Sequence, residues 1–589
     1  MGDDAVSEPF EDSRRLTGAN LYFDGAGAAL EIAPGVAFDG ATQQRWRDNI
    51  ARARVALGWP QRAVFVREHA SGASMAFEAP LDQLYVATEV NEWALYSALG
   101  LHASDAPVDD EAEVPRPHVA HFDDEEALRQ LRALAVDEAK PALLALIDAA
   151  HAHGLPAHAD DDALSIGEGV SAQAWSLDHL PAAAEVPWSR LHGTPKAVVT
   201  GSNGKTTTVR LLAAMLRAHG LHVGYSSTDG LFIDGERVEA GDYSGPVGAR
   251  TVLRDPRITA AVLETARGGL LRRGLVANDA RVAVVTNVSP DHFGEYGIHD
   301  LDNLATVKLV VAKSLAADGL LVLNADDDML VTHAPTTRRI GWFALALDVA
   351  LARGAIACGV RDGRLRLSVD GVEHDLGAIA AMPLTVGGSA RYNIANIAAA
   401  SLAAFALGIA PAAIAQVLSR FGASNADNPG RLQRWTLGDV EVLLDYAHNP
   451  DGLRGLLEVA AGLRRGGRLA LLLGHAGNRL DSDFIALAAV AVQARPDRVW
   501  LKDIGGDYLR GRASGAVAMI LRDALLASGM AEDDLPVCLD EAQAAREALC
   551  WARPGDLLVL PIHEPTHRDD VVALLDRLQA KAWQPGDPL

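Results

Sequence analysis

The sequence predicts an α/β protein in three parts: an α+β N-terminal domain, then two domains in which strands and helices alternate. Three observations predict it. The stretch 196–220, KAVVTGSNGKTTTVRLLAAMLRAHG, passes from a short apolar run through a Gly-rich turn into helical periodicity. Over 195–424, and again over 425–589, apolar runs of strand length alternate with helical patterns, the pattern of mostly parallel sheets crossed by helices. At 589 residues the chain is long enough for three or four domains, each with its own core.

Residues 1–159 read as the α+β part: FVREHASGASMAFEAP is two strands around a Ser-Gly turn, and 125–151 is amphipathic. His151, His153 and His158 with Asp160, Asp161 and Asp162 form the one metal-like cluster, but beside Gly154 and Pro156 they read better as a solvated acidic turn. Residues 160–194 lose periodicity and collect Pro181 and Pro187, which predicts a linker packed on its neighbours, with Trp175 and Trp188 as anchors.

The central domain, 195–424, opens on a strand over 197–200, the turn Gly201-Ser202-Asn203-Gly204, and a helix from Thr206. This is a phosphate cradle. Glycines let backbone N–H groups approach phosphate, a helix N-terminus favours negative charge, Lys205 adds a point cation and Thr206 a hydroxyl for Mg²⁺. The general pattern G-x-x-x-x-G-K-[ST] would place glycine where Val199 stands, so the loop is a shortened form. Three later strands, 261–266, 282–288 and 320–324, end respectively in Glu264, in Asn287 with Asp291 and His292, and in Asn324 with Asp326 and Asp327. In a parallel sheet ligands gather at such carboxyl ends. Asp326 and Asp327 read equally well as a solvated turn. The last part, 425–589, has strands near 440–445, 468–473, 498–502 and 556–560 and reads as a dinucleotide-fold-like domain.

Composition narrows the partners. Lys and Arg number 53 against 77 Asp and Glu, a formal charge of −24, which argues against nucleic acid. Three cysteines, Cys358, Cys538 and Cys550, are too few for a disulfide framework and read as small buried apolar residues in a reducing compartment. The start MGDDAVSEPFEDS has neither a cationic nor an apolar leader segment, and no long apolar run appears, so the expectation is a cytoplasmic protein with no membrane partner.

The motifs GSNGKTTT, VLETARGGLLRRGL from Val262, TNVSPDHFGEYG from Thr286, ATVKLVVAK around Lys308, LNADD from Leu323, RYNIANIAAA from Arg391, NPGRLQRW from Asn428 and LDYAHNPDGL from Leu444 together resemble the Mur ligases. Within them the chain is most similar to the Mur-like domain of cyanophycin synthetases. The resemblance implies a Mur-ligase-type P-loop central domain and a Rossmann-like C-terminal domain. It further implies an ATP-dependent, ADP-forming ligase in which a carboxylate becomes an acyl phosphate that an amine attacks. It places Lys205, Glu264, His292 and Lys308 in the chemistry. Two Mg²⁺ ions are expected, one on Thr206 and Glu264, the other on His292 and a carbamylated Lys308. Hard Mg²⁺ suits such oxygen donors. For the nucleotide it implies Gly201, Ser202, Asn203, Gly204, Lys205, Thr206 and Thr207. Asn393 and Asn396, at i and i+3 on one helix face, are expected at adenine, Arg431 at the γ-phosphate and Asp445 at ribose.

For the acyl donor, an Arg fork suits a carboxylate; Arg267 is the first candidate and Arg272 the second, while Arg272 and Arg273 each read equally well as surface ion pairs. GHAGNRLDSD at 474–483 and KDIGGDYLRGRASG at 502–515 resemble the stretches framing the amine, with Arg512 and Arg510 as candidates and Asn478 where relatives often carry Asp. LTGANLYF, FEAPLDQLYVATEVNEW and SIGEGVSAQAW resemble the N-terminal domain of cyanophycin synthetases. Those enzymes carry an ATP-grasp domain where this chain has only the expected linker, so one ligation is expected. The expected substrates are amino-acid or peptide molecules. A separate ATP-grasp enzyme acting jointly, a homo-oligomer, and a degenerate nucleotide-binding scaffold stay open as alternatives.

Overall fold

The computed structural model describes residues 8–101, 119, 123–291 and 293–589, so His292 lies outside the described residues. Two compact units result: Met1–Gly201 with His219–Leu323 and Asp327–Ile340, and Ser202–Ala218 with Asn324–Asp326 and Gly341–Leu589.

The first unit begins with an antiparallel sheet in the order Phe10–Leu16, Gly27–Ile32, Gly72–Glu78, Val64–His69, the last two joined at the expected Ser-Gly turn. Helices Gly40–Leu57 and Leu84–Leu99 pack on it through Trp46, Ile50 and Trp93 against Met75 and Phe77. Asp39 caps the first helix by accepting from Thr42 N, and Gly58, at φ 72°, ends it. The amphipathic run 125–151 is two helices, Asp124–Glu138 and Pro141–Ala152. Pro141 disfavours helical backbone at Lys140, which adopts φ −125° and ψ 74°.

Residues 160–194, expected as a linker, instead hold strands Ala163–Ile166 and Gln173–Ser176, which with Ala157–Ala159 make a three-stranded antiparallel sheet. Leu143, Leu146, Leu164, Ile166 and Leu191 form its core, with Trp175 and Trp188 packed against it. Strands of three or four residues hold too few alternations for periodicity to register. The expected solvated turn is ion-paired: Asp161 accepts from Arg15 Nη1 at 2.7 Å, and Asp160 bonds Arg254. His158 is buried and donates from Nε2 to Glu168 Oε1 at 2.8 Å, and Glu168 also takes Lys196 Nζ at 2.6 Å. That ion pair ties the small sheet to the strand that carries the Gly-rich loop.

This strand, Lys196–Thr200, lies between Ala260–Glu264 and Ala280–Val285, with Val223–Ser227 and Leu315–Asn324 next outward, every pairing parallel. The expected parallel pairing of alternating strands is therefore present, and the central strands are buried throughout.

In the second unit, strands Ile356–Arg361, Arg364–Val369 and Val372–Ala378 pair antiparallel. Its C-terminal sheet runs Gln433–Leu437, Val440–Asp445, Leu557–Pro561, Leu469–Leu473, Arg498–Leu501, parallel except for the first pair. Alternate residues feed separate cores: Leu443, Leu471 and Val559 one, Val442, Leu444, Leu472 and Leu560 the other. A sheet with both faces covered by helices requires this. Of the three cysteines Cys358 is buried, whereas Cys550 is exposed, contrary to the expectation for all three. Among the described residues no helix is long and apolar enough to cross a membrane.

One buried acid gives a stability prediction. Glu92, on the helix Leu84–Leu99, is 7% exposed, and burial, helped by Glu89 and Glu8, pushes its carboxyl up to about 7. Below the ordinary glutamate range both folded and unfolded chains are protonated and nothing is lost. As pH rises to and past 7 the unfolded chain ionises first, so folding loses stability, by about 3 kcal/mol in total. Glu92→Gln is expected to raise Tm at pH 8 and to match the wild type near pH 4 in thermal denaturation; an equal Tm at pH 8 contradicts this.

Candidate functional site

The loop after strand Lys196–Thr200 is shaped by two glycines that admit no side chain. Gly201 has φ 147°, and a Cβ there would fall 1.8 Å from Thr286 Oγ1. Thr286 N donates to Thr200 O at 3.0 Å, and buried Thr200 Oγ1 has no hydrogen-bond partner among the described residues. An orphaned hydroxyl at a strand's carboxyl end fits an oxyanion ligand. Gly204 has φ 85°, and a Cβ there would fall 2.2 Å from Asn396 Oδ1.

Helix Lys205–Ala218 begins at once. Lys205 Nζ folds back to donate to Ser202 O at 3.2 Å, and Thr208 Oγ1 donates to Gly204 O at 2.9 Å. Thr206 and Thr207 are each 4% exposed, so the helix presents its first hydroxyls in a nearly closed setting. Asn393 and Asn396 lie on helix Arg391–Ala406, both buried and joined as the i, i+3 spacing predicts: Asn396 Nδ2 donates to Asn393 Oδ1 at 3.2 Å, and Asn393 Nδ2 to Leu384 O at 3.0 Å. The amide pair thereby braces the loop at Gly204.

The turn that opens the C-terminal domain meets the same helix. Asn428 Nδ2 donates to Thr207 Oγ1 at 3.2 Å, Arg210 Nη1 donates to Pro429 O at 2.7 Å, and Arg431 Nη2 lies 3.5 Å from Thr206 Oγ1. Arg431 is steered by the ring of Tyr446, 4.4 Å away. Asp445, ending strand Val440–Asp445, accepts from Leu432 N at 2.6 Å, and burial raises its carboxyl against the pull of Arg431. Asn449 caps helix Pro450–Leu463 through Gly452 N at 2.8 Å and donates to Asn203 Oδ1 at 3.0 Å. Lys205, Thr206, Asn396, Arg431 and Asp445 are thus gathered around one helix N-terminus. Arg210, Asn428 and Asn449 were missed; Asn449 before Pro450, a cap followed by proline at the first helical position, was the available signal.

In the first unit Glu264 is fully buried at its strand's end and accepts from Thr228 Oγ1 at 2.7 Å. Arg267, 8% exposed, opens helix Arg267–Arg273 and pairs with Glu295. Arg272 is exposed and donates to Gly268 O at 3.2 Å, while Arg273 donates to Arg15 O at 3.2 Å, so Arg267 is the one buried guanidinium of the three. Lys308 is 3% exposed on the last turn of helix Leu301–Leu309. Asp327 caps helix Asp328–Thr332 and also accepts from Val288 N at 2.6 Å, a turn-closing role. Among the described residues no group of three or more His, Cys, Asp or Glu side chains is placed to hold a metal. Mg²⁺ needs no such cage, since it is commonly held by one or two carboxylates with waters and substrate phosphates; buried Glu264 is a donor of that kind.

In the C-terminal domain Arg512 Nε and Nη2 donate to Gly477 O and Arg479 O, both at 2.8 Å, and Nη2 pairs with Asp481 at 2.9 Å. These donors brace the 477–481 loop. Arg510, at φ 49°, belongs to the neighbouring turn. Sequence reading missed a fully buried group at the carboxyl ends of two strands: Lys502 pairs with Glu541 and lies 3.2 Å from His563 Nδ1. Burial and Lys502 push His563 down to about 4, so at neutral pH its Nδ1 accepts from Lys502 and Nε2–H donates to Ala447 O at 3.1 Å. Ala447 lies between Asp445 and Asn449, so this group supports the segment that reaches the loop. The signal was a lysine and a histidine each just past a strand end.

Residues 199–404 match the Mur ligase middle domain, and residues 430–561 the Mur ligase glutamate ligase domain. Cyanophycin synthetase of Trichormus variabilis is 39% identical over 376 residues, 62% of this chain and 41% of that protein. The chain thus spans about two fifths of the length of the cyanophycin synthetases it matches. UDP-N-acetylmuramoyl-L-alanyl-D-glutamate--2,6-diaminopimelate ligase of Xanthomonas oryzae pv. oryzae is 30% identical over 445 residues, 72% of this chain and 84% of that protein. Among solved structures, E. coli FolC in complex with DHPP and ADP aligns at 20% identity and a TM-score of 0.48, over 65% of this chain and 89% of that one.

Proposed function

The chain belongs to the Mur ligase family, and from that membership we propose that it is an ATP-dependent, ADP-forming ligase joining a carboxylate to an amine. The observation that carries the reading is the helix N-terminus at Lys205, reached through two glycines that leave no room for a side chain and faced at Thr206 by Arg431. A helix start with two added cations favours a polyphosphate.

In the proposed reaction the acyl donor's carboxylate attacks the γ-phosphoryl group, ADP leaves, and the amine then displaces phosphate from the acyl phosphate. Two anions meet in the first step, so cations must screen them and steady the charge on the transferring oxygens. Lys205 and Arg431 are this chain's own. We assign Thr206 and, separately, Glu264 as donors to Mg²⁺, and likewise His292 and a carbamylated Lys308; such ions would supply further positive charge at the phosphoryl oxygens. Asn449 and Asn396 hold the loop's shape, and Arg267, oriented by Glu295, is the group to receive the acyl donor. We assign as acyl donor an amino-acid, peptide or isopeptide carboxylate, and as amine an amino acid or peptide.

A screen of carboxylate and amine pairs for nucleotide products tests this. ADP and phosphate are expected only when both substrates are present; AMP with pyrophosphate overturns it.

A further inference from the structure

The N-terminal sheet grips three segments of the central domain, all within the first unit. Arg67 Nη2 donates to Tyr296 O at 2.6 Å, and its Nη1 donates to Gly297 O at 3.0 Å and Asn303 Oδ1 at 3.2 Å. Arg14 lies over the Tyr296 ring at 4.7 Å and donates from Nε to Leu271 O at 2.9 Å. Gly297, at φ 65°, sits so close to His69 that a Cβ would fall 2.2 Å from the ring. Tyr296 itself has φ 53°, a conformation a bulky side chain holds only when its surroundings impose it.

Helix Arg267–Arg273 and the segment after Lys308 are gripped as well. Thr17 N donates to Arg273 O at 2.8 Å and Leu275 N to Ala19 O at 2.7 Å, while Lys313 Nζ donates to Asn20 O at 2.9 Å. The three gripped segments carry Arg267, its partner Glu295, and the stretch following Lys308. Glu295 adjoins the strained Tyr296, so the direction of its carboxylate depends on where Arg67 and Arg14 hold that residue.

We propose that Arg67 is a positioning residue for the acyl donor: from the N-terminal sheet it fixes the 295–297 turn and, through Glu295, aims the Arg267 guanidinium. The proposal rests on the ligase reading above. Arg67 touches no reacting atom; its effect passes through the turn. One planar guanidinium serves three acceptors of the central domain and Ser74 Oγ of its own sheet, which a lysine ammonium on a single stem cannot span in the same geometry.

The test uses the full chain with Arg67→Lys and Arg67→Ala, the carboxylate and amine pair found active for the wild type, and two readouts. In ADP release, Arg67→Ala is expected to raise KM for the carboxylate at least tenfold while KM for ATP stays within twofold, with Arg67→Lys intermediate. In hydrogen exchange, amides of 294–299 are expected to exchange at least tenfold faster in Arg67→Ala, while those of 206–216 are unchanged. An unaltered carboxylate KM in either folded variant overturns the positioning role, as does a KM for ATP that rises in parallel. If Arg67→Ala fails to fold, Arg67→Lys decides on the same criteria. Wild-type protein that releases no ADP with any pair overturns the ligase reading, and the proposal with it; that result is distinct from an active wild type with indifferent variants.

Discussion

Replacing Lys205 by alanine is expected to cut ADP release at least about 10³-fold while leaving Tm and circular dichroism those of the wild type. The size of the effect follows from the chemistry: a fixed cation aimed at charge developing on a transferring phosphoryl group contributes about 10²–10³ in rate in comparable sites, and its loss also weakens nucleotide binding. The fold should survive because Lys205 stands at the first position of its helix and its Nζ reaches back to Ser202 O. Alanine is the better helix former. The loop's shape rests instead on Gly201, Gly204 and Asn396, which the substitution leaves alone. Retention of a tenth of the wild-type rate would refute the cradle reading.

Lys308→Ala carries the second large effect. At 3% exposure on the last turn of its helix, Lys308 does not serve as a solvated surface charge. In the proposed site its neutral amine adds CO₂ and loses a proton, turning a cation into an anionic oxygen donor that suits Mg²⁺. The expected result is at least a hundredfold loss of ADP release, partly restored by millimolar formate or acetate. A cavity or misfolding would lower activity without any such rescue, which separates the two causes. Wild-type rates in CO₂-depleted buffer should fall and return with bicarbonate. Full activity in Lys308→Ala, or loss with no rescue by any short carboxylate, rules the carbamate out.

The strands of the central and C-terminal domains were legible because each is a continuous apolar run closed by turn residues: 440–445 is observed as Val440–Asp445, and 282–288 overlaps Ala280–Val285. The region 160–194 was not legible, since its strands are four residues long and their partner, Ala157–Ala159, three. Among the candidate arginines, sequence could name Arg267, Arg272 and Arg273 but not rank them by burial. Turn by turn along one short helix the three differ only in which side faces the protein.

By itself the sequence determined the Gly-rich loop, the strand carrying it, the lysine and hydroxyl that follow, and the alternation that makes the sheets parallel. Each of these is written in contiguous residues, where backbone preference and hydrophobic period act over a few positions. Tertiary structure alone decided that Asn396 presses on Gly204, that Lys502, Glu541 and His563 share one buried group, and that Arg67 holds Tyr296 and Gly297. Those partners lie from 22 to 230 positions apart. Pairs so distant leave no periodic trace in the chain; they meet because burying two apolar faces against each other also brings together the polar groups at their edges, which must then find partners.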